Sequence, residues 1–350
     1  MKRRTFIKVV GGATGGVALA QSELAGAPAV SAAGQPETVA GMPRRVMGRT
    51  GLQVSIVAFS GFALNKYQQE ECNAGVKKAF DKGVNYFDVA PAYGESENRL
   101  GVALQQLDRS KYYLACKTKM RDGPGALAEM ERSLTRLKTD HFDVYQLHHL
   151  RKPEEVKQAL GPGGAVEAIL KARDQGKVRF IGFSAHTTKA AMEAMTGFKF
   201  DTVMFPINFV EYYLIGFGKE VLAEARRQGA AVLAIKPMST GFWPKEVKKT
   251  RNWWYRSAED QEEVNLVMRW ALSQEPVVTT FSPAFLDLAD KSIEAGRNFR
   301  PITEEEIARL QAKAKECQSV FKREEDAVAF HHHPAHDREA GVDGYPGHWV

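Results

Sequence analysis

Between residues 54 and 282, eight short apolar runs alternate with amphipathic stretches: "VSIVAFSGF" (54–62), "YFDVA" (86–90), "YYLACKTK" (112–119), "FDVYQLHH" (142–149), "VRFIGFSAH" (178–186), "TVMFPIN" (202–208), "AVLAIKPM" (231–238) and "VVTTFS" (277–282). A parallel strand is buried on both faces, so it reads as a near-continuous apolar run. The intervening stretches, among them "QQEECNAGVKKAFDKG", "ALAEMERSLTRLKTD" and "AVEAILKARDQGK", carry helical periodicity, several with Gly or Asp at the end. Strand–helix alternation predicts a parallel sheet, and eight repeats are the number that closes a (β/α)₈ TIM barrel of about 250 residues. An open doubly wound sheet would place a Gly-rich phosphate turn after its first strand. The only such run, "GGATGG" (11–16), has no strand before it. The expected organisation is one barrel domain over 43–320, preceded by a linker at 34–42 and followed by a tail at 321–350.

Residues 1–33 stand apart. "MKRRTFIKVVGGATGGVALA" pairs Arg3 with Arg4, follows with Phe6 and Lys8, and continues as a Gly/Ala-rich, weakly apolar stretch. It resembles a twin-arginine export signal, with Lys2 where that pattern prefers Ser or Thr, and small residues at 27–33 offer cleavage sites. The apolar part is too short for a membrane span. The resemblance implies an exported, periplasmic protein that engages the twin-arginine export machinery. This leader holds Lys2, Arg3, Arg4 and Lys8 against Glu23, so half of the chain's net charge of +6 leaves with it. No Lys/Arg stripe of the kind that grips nucleic acid is present. Three scattered cysteines (Cys72, Cys116, Cys317) make no disulfide framework, and Cys116, inside an apolar run, reads as a core residue.

Barrel geometry concentrates chemistry at the C-terminal ends of the strands. Asp88 ends the second strand and Tyr93 follows in its loop; the third ends in "CKTK" and the fourth in "QLHH". Taken singly, Asp88 could cap a turn, Tyr93 could pack on the rim, and His148 or His149 could be a satisfied core histidine. For a carboxylate, a phenol, an ammonium and an imidazole together at three successive strand ends, a random solvated rim is a poor explanation. If the reaction is the carbonyl reduction implied by the resemblance given next, the phenol would donate a proton to the carbonyl oxygen, the lysine would make it more acidic, the carboxylate would hold the lysine charged, and the histidine would orient the substrate oxygen.

The blocks "GRTGLQVSIVAFSGF", "NYFDVAPAYGESENRLG", "YLACKTK", "DHFDVYQLHHL", "GKVRFIGFSAH" and "VLAIKPM", spread over about 43–312, resemble the aldo-keto reductases. The resemblance implies a catalytic tetrad of Asp88, Tyr93, Lys117 and His148, and a small carbonyl or alcohol substrate. Lys117 is preferred over Lys119 because it directly follows the apolar run. The implied cofactor is NADP or NAD, which supplies the hydride, with Ser184, Asn208, Lys236 and Pro237 as its candidate contacts. Ser184 matches the serine that holds the nicotinamide carboxamide. Ala185, Met204 and Ile235 stand where the family has an asparagine, a glutamine and a stacking aromatic, and "TTFSPAFLDLADKS" replaces the usual phosphate-binding pattern. Weak cofactor binding with little NADP-over-NAD preference is therefore expected. Lys236 and Arg297 are the basic residues available to a phosphate, against a solvated or salt-bridged role. "RNWWYRS" (251–257), Tyr345 and Trp349 are candidate pocket walls.

Two other readings compete. A non-catalytic cofactor-binding sensor or accessory protein on the same barrel would explain the missing carboxamide contacts but does not need Tyr93 and Lys117 together. A metal-dependent isomerase would need ligands at several strand ends, where strands five to eight offer only His186. His331, His332, His333 and His336 in the tail suit Zn, Cu or Ni chemically. They read as part of a flexible tail, and no metal is expected.

Overall fold

A computed structural model of the chain describes residues 37–329. The leader and the tail histidines lie outside the described residues. The chain first forms a small antiparallel sheet of β1 (Thr38–Val39), β2 (Met42–Val46) and β3 (Gln53–Ser55), with β2 in the middle. There follow β4 (Val57–Ser60), α1 (Gln69–Asp81), β5 (Tyr86–Asp88), α2 (Ser96–Leu104), β6 (Tyr113–Thr118), α3 (Gly123–Leu137) and β7 (Phe142–Leu150). The second half contains α4 (Pro153–Leu160), α5 (Ala165–Asp174), β8 (Val178–Ala185), α6 (Thr188–Gly197), β9 (Thr202–Pro206), α7 (Phe209–Ile215), α8 (Lys219–Gln228) and β10 (Ala231–Ile235). It ends with α9 (Gln261–Leu272), β11 (Val277–Phe281), α10 (Leu286–Arg297), α11 (Glu304–Ala314) and α12 (Lys322–Ala329).

Strands β4 to β11 close into a parallel barrel in chain order, with β11 beside β4. Each of the eight apolar runs contains one of them, so the (β/α)₈ barrel stands. Alternate residues point inward, and Tyr86, Ala115, Val144, Met204, Leu233 and Val278 fill the interior as a packed core. Met47 and Leu52 from the β2–β3 connection and Val54 of β3 join that core. Arg45 fastens the sheet there, donating to the carbonyls of Leu272 and Val277, both at 2.7 Å.

The helices form the outer ring. Asp122 caps α3 by accepting from the Gly125 amide at 2.8 Å, a proline follows in the first turn, and Ala126, Met130, Leu134 and Leu137 make its buried stripe. Among the described residues no helix is long and apolar enough to cross a membrane.

Both expected barrel boundaries move outward. Strand β1 and the start of β2 lie inside the segment read as linker, because Thr38 and Val39 pair with Pro43 and Met42. Helix α12 lies inside the segment read as tail. It is tied to the barrel by a salt bridge between Glu324 and Arg151 and by Glu325 accepting from the Thr188 amide at 2.7 Å, while Phe321 just before it is fully buried.

Candidate active site

Asp88 is the last residue of β5, and a tight turn carries the chain to Tyr93. The Tyr93 amide donates to the Ala90 carbonyl at 3.0 Å, and the Ser96 amide to the Tyr93 carbonyl at 3.2 Å. Gly94 sits at φ +59°, where a Cβ would collide with Asn65 Oδ1, the atom that accepts from the Glu95 amide at 3.1 Å. The sequence after Tyr93 therefore fixes where its phenol stands.

Lys117 comes from the adjacent strand β6. Its ammonium donates to Asp88 Oδ1 and to the Val89 carbonyl at 3.2 Å, and lies 4.9 Å from the centroid of the Tyr93 ring. Gln146 on β7 donates to Asp88 Oδ2 at 3.1 Å. Two strands thus clamp one carboxylate. The Lys117 side chain is fully buried and that of Asp88 nearly so. Burial opposes the charge on Lys117, but Asp88 and Tyr93 outweigh it and hold the ammonium above its usual range. Lys119 lies beyond the end of β6, half-buried, and its amide donates to Glu129 Oε2 at 3.1 Å. It takes no part in this pair.

His148 sits two residues beyond Gln146, where the β7–β8 register shifts between Leu147 and Leu150 and His149 adopts φ +61°. Such irregularities re-aim side chains at barrel rims. The His148 ring meets that of Tyr93 edge-on, with centroids 5.5 Å apart. Burial, then the Lys117 charge, pushes its pKa well below the ordinary value, so His148 is neutral at pH 7. Its Nδ1 has no partner among the described residues.

Asp88, Tyr93 and His148 line one cavity at the C-terminal mouth. Phe62, Trp253 and Tyr255 form an aromatic wall; Met204, Ile235 and Phe281 form an apolar one; Ser184, His186 and Lys236 add polar groups. The loop quoted as "RNWWYRS" therefore reaches the cavity through Trp253 and Tyr255, whereas Tyr345 and Trp349 lie outside the described residues. Ser184 accepts from the His149 amide at 2.7 Å, which leaves its own hydroxyl proton available. Among the described residues no group of three His, Cys, Asp or Glu is placed to hold a metal ion.

Three residues expected near the cofactor stand off the wall of this cavity. Asn208 caps α7, its Oδ1 accepting from the Glu211 amide at 3.1 Å, and its side chain is not part of the cavity wall. Its Nδ2 is buried without a partner among the described residues. Pro237 is buried outside the cavity wall. Arg297 donates to the Ala40 carbonyl at 3.0 Å and pairs with Glu294, so it serves the small sheet at the opposite end of the barrel.

Sequence reasoning missed Gln146, although period-two alternation from His148 points to it. It also missed the contact between His186 and Lys236, whose Nζ and Nε2 atoms are 3.4 Å apart. These residues come from different strands, and no local pattern joins them.

Comparison with known proteins agrees with this architecture. Among curated relatives, L-galactose dehydrogenase of Arabidopsis thaliana is 28% identical over 216 residues, 57% of this chain and 66% of that protein. The probable aldo-keto reductase 1 of Glycine max is 25% identical, over 56% of this chain and 60% of that protein. The chain thus spans just under two thirds of the length of these two relatives. An uncharacterised oxidoreductase of Bacillus subtilis is 24% identical over 313 residues, covering 80% of this chain and 99% of that one. Among solved structures, the holo form of an aldo-keto reductase from Bacillus halodurans superimposes with a TM-score of 0.66 at 19% identity, over 81% of this chain and 99% of that chain. The family model for aldo/keto reductases matches residues 57–315, the barrel from its first strand onward. The chain belongs to the aldo/keto reductase family.

Proposed function

We propose that this chain reduces an aldehyde or ketone to an alcohol, or runs the reverse reaction, with Tyr93 as the proton donor. The observation that carries this reading is the buried Lys117–Asp88 pair set against the Tyr93 ring, beside a neutral His148 in the same cavity. A pure binding role does not need Tyr93 and Lys117 together.

The residues present fit the nicotinamide end of the cofactor. Ser184 has a hydroxyl proton to give to a carboxamide, and Met204 and Ile235 offer apolar contact to a ring. When bound, the nicotinamide supplies the hydride. The phosphate end is poorly provided: the first turn of α10 carries Asp287, and Arg251 nearby is paired with both Asp287 and Glu259.

In the reaction, the aromatic wall excludes water and His148 orients the carbonyl oxygen beside the Tyr93 hydroxyl. Tyr93 gives its proton to that oxygen as it becomes an alkoxide. Lys117 then stabilises the resulting phenolate, and Asp88, steadied by Gln146, keeps Lys117 charged and in place. Carbonyl-dependent oxidation of NADPH or NADH by the purified chain tests the reading. A chain that binds cofactor but consumes none with any simple aldehyde would support the sensor reading instead.

The same proposal extends to place. Arg3–Arg4 followed by Phe6 and Lys8 support export through the twin-arginine route to the periplasm. That route carries folded proteins, which suits a barrel that must enclose its cofactor.

A further inference from the structure

His148 stands on an irregular piece of backbone. Strand β8 offers neither His148 nor His149 a residue in register, and pairing resumes only at Leu150 with Ala185. His149 takes φ +61°, a conformation rare for a residue with a side chain, which persists only where its surroundings hold it. The carbonyls of His148 and His149 leave the regular ladder here, and a buried carbonyl needs a donor. The His148 ring does not anchor itself through Nδ1, which has no partner among the described residues. Its aim is therefore set by the backbone beneath it.

Arg121, just beyond the end of β6, supplies the donor. Its Nη2 donates to the His148 carbonyl at 2.8 Å and to the His149 carbonyl at 3.2 Å, one on either side of the strained residue. Glu155 Oε1 is farther from it, at 3.4 Å, and Glu155 Oε2 already accepts from the amides of Arg151 and Lys152 at 2.7 and 3.1 Å. The two carbonyls are thus the closest partners of the guanidinium, and the ion pair is the looser contact. The Arg121 side chain is only 10% exposed. Its backbone is fixed as well: the Arg121 carbonyl accepts from the Ala165 amide at 2.9 Å, and Asp122 next to it bridges to Gly164. Arg121 is not part of the cavity wall, so any effect on the chemistry passes through His148.

We propose that Arg121 is a positioning residue for carbonyl reduction, holding the bulge at His148–His149 so that the His148 ring is aimed at the substrate oxygen. This rests on the reading of the cavity as a carbonyl-reducing site. The competing role is a plain brace that ties the β6–α3 loop to α4 through Glu155. Such a brace would cost stability when removed and leave the His148 ring where it is.

Kinetics of aldehyde reduction with NADPH test the link, using the full chain as wild type, Arg121→Met, His148→Gln and the double variant. Arg121→Met should lower kcat by about 10–10²-fold, the scale of misplacing a catalytic group by about an ångström. Arg121→Lys, which keeps the charge and the donors on a more flexible stem, should recover part of that loss. Once His148→Gln has removed the ring, adding Arg121→Met should cost less than about twofold. An equal loss in both backgrounds would overturn the proposal, as would an Arg121→Met chain with lowered thermal stability and wild-type kcat. If Arg121→Met does not fold, Arg121→Lys enters the same comparison and should show a smaller loss with the same dependence on His148. A readout without turnover is the nuclear Overhauser contact between the His148 and Tyr93 rings, whose centroids are 5.5 Å apart. It should weaken in Arg121→Met, and an unchanged intensity would overturn the proposal. If the wild type reduces no aldehyde, the reductase reading fails, while the ring contact still decides whether Arg121 holds His148.

Discussion

The Lys117 ammonium lies 4.9 Å from the centre of the Tyr93 ring. From sequence, the lysine was expected to make the phenol more acidic. Its pull is in that direction, but burial is the larger effect and Asp88 adds to it, so the Tyr93 pKa is raised overall. At neutral pH Tyr93 is therefore fully protonated, the form that reduction requires. The reverse reaction needs the phenolate and should gain as pH rises.

The Lys117–Asp88 pair should behave as one unit in stability. Removing either partner leaves the other buried and unpaired, which costs about 3–5 kcal/mol. Urea denaturation of Lys117→Met, Asp88→Asn and the double variant should show the double variant losing well under the sum. Additive losses would mean that the two side chains are not coupled.

Lys236 should make stability depend on pH in a defined window. Burial lowers its pKa from 10.5 to about 7 in the folded chain. Between those values the unfolded chain holds the extra proton, so this lysine's contribution improves as pH rises from about 7 to 10.5. Below pH 7 both states are protonated and the full cost of burying the charge is present. His149, His186 and Glu324 face the lysine, and the two histidines, both lowered by burial, titrate below this window. Lys236→Met should stabilise the protein by a few kcal/mol near pH 6, by order of magnitude, with the gain shrinking towards pH 10. A gain independent of pH would show that the lysine is not buried in its charged form.

Cofactor discrimination should be slight. Arg251 near the start of α10 is already paired twice, and Asp287 in its first turn repels a phosphate. Fluorescence titration should give dissociation constants for NADPH and NADH within about tenfold, since one lost charged contact is worth about that much. Strong selectivity for NADPH would reveal a phosphate site elsewhere.

How much of this was legible in the sequence follows from the physics of each part. The eight barrel strands were, because burial on both faces writes them as apolar runs, and so was the meeting of Asp88, Tyr93, Lys117 and His148, because a barrel gathers its strand ends at one mouth. The small sheet was not, since Thr38–Val39 is exposed and too short to show a period. Helix α12 was not, because "KREEDAVA" is polar and is held by ion pairs such as Glu324 with Arg151 rather than by an apolar stripe. The capping role of Asn208 was not legible, because a cap and a ligand look alike in one dimension. The Lys236–His186 contact depends on a closed barrel bringing β8 and β10 to one mouth.

Export is tested by replacing Arg3 and Arg4 with lysine. The double variant should accumulate in the cytoplasm with its leader uncleaved, as followed by fractionation and mass of the mature chain. Unchanged export would remove the twin-arginine assignment and leave the barrel's chemistry untouched.

The central claim is that Tyr93 delivers the proton, and Tyr93→Phe tests it most directly. The substitution keeps the ring that packs on Phe62, with centroids 4.7 Å apart, and deletes only the hydroxyl. Thermal stability and cofactor affinity should stay close to wild type, while kcat for aldehyde reduction falls by about 10²–10⁴. A Tyr93→Phe protein that reduces the same aldehyde at the wild-type rate would contradict the account.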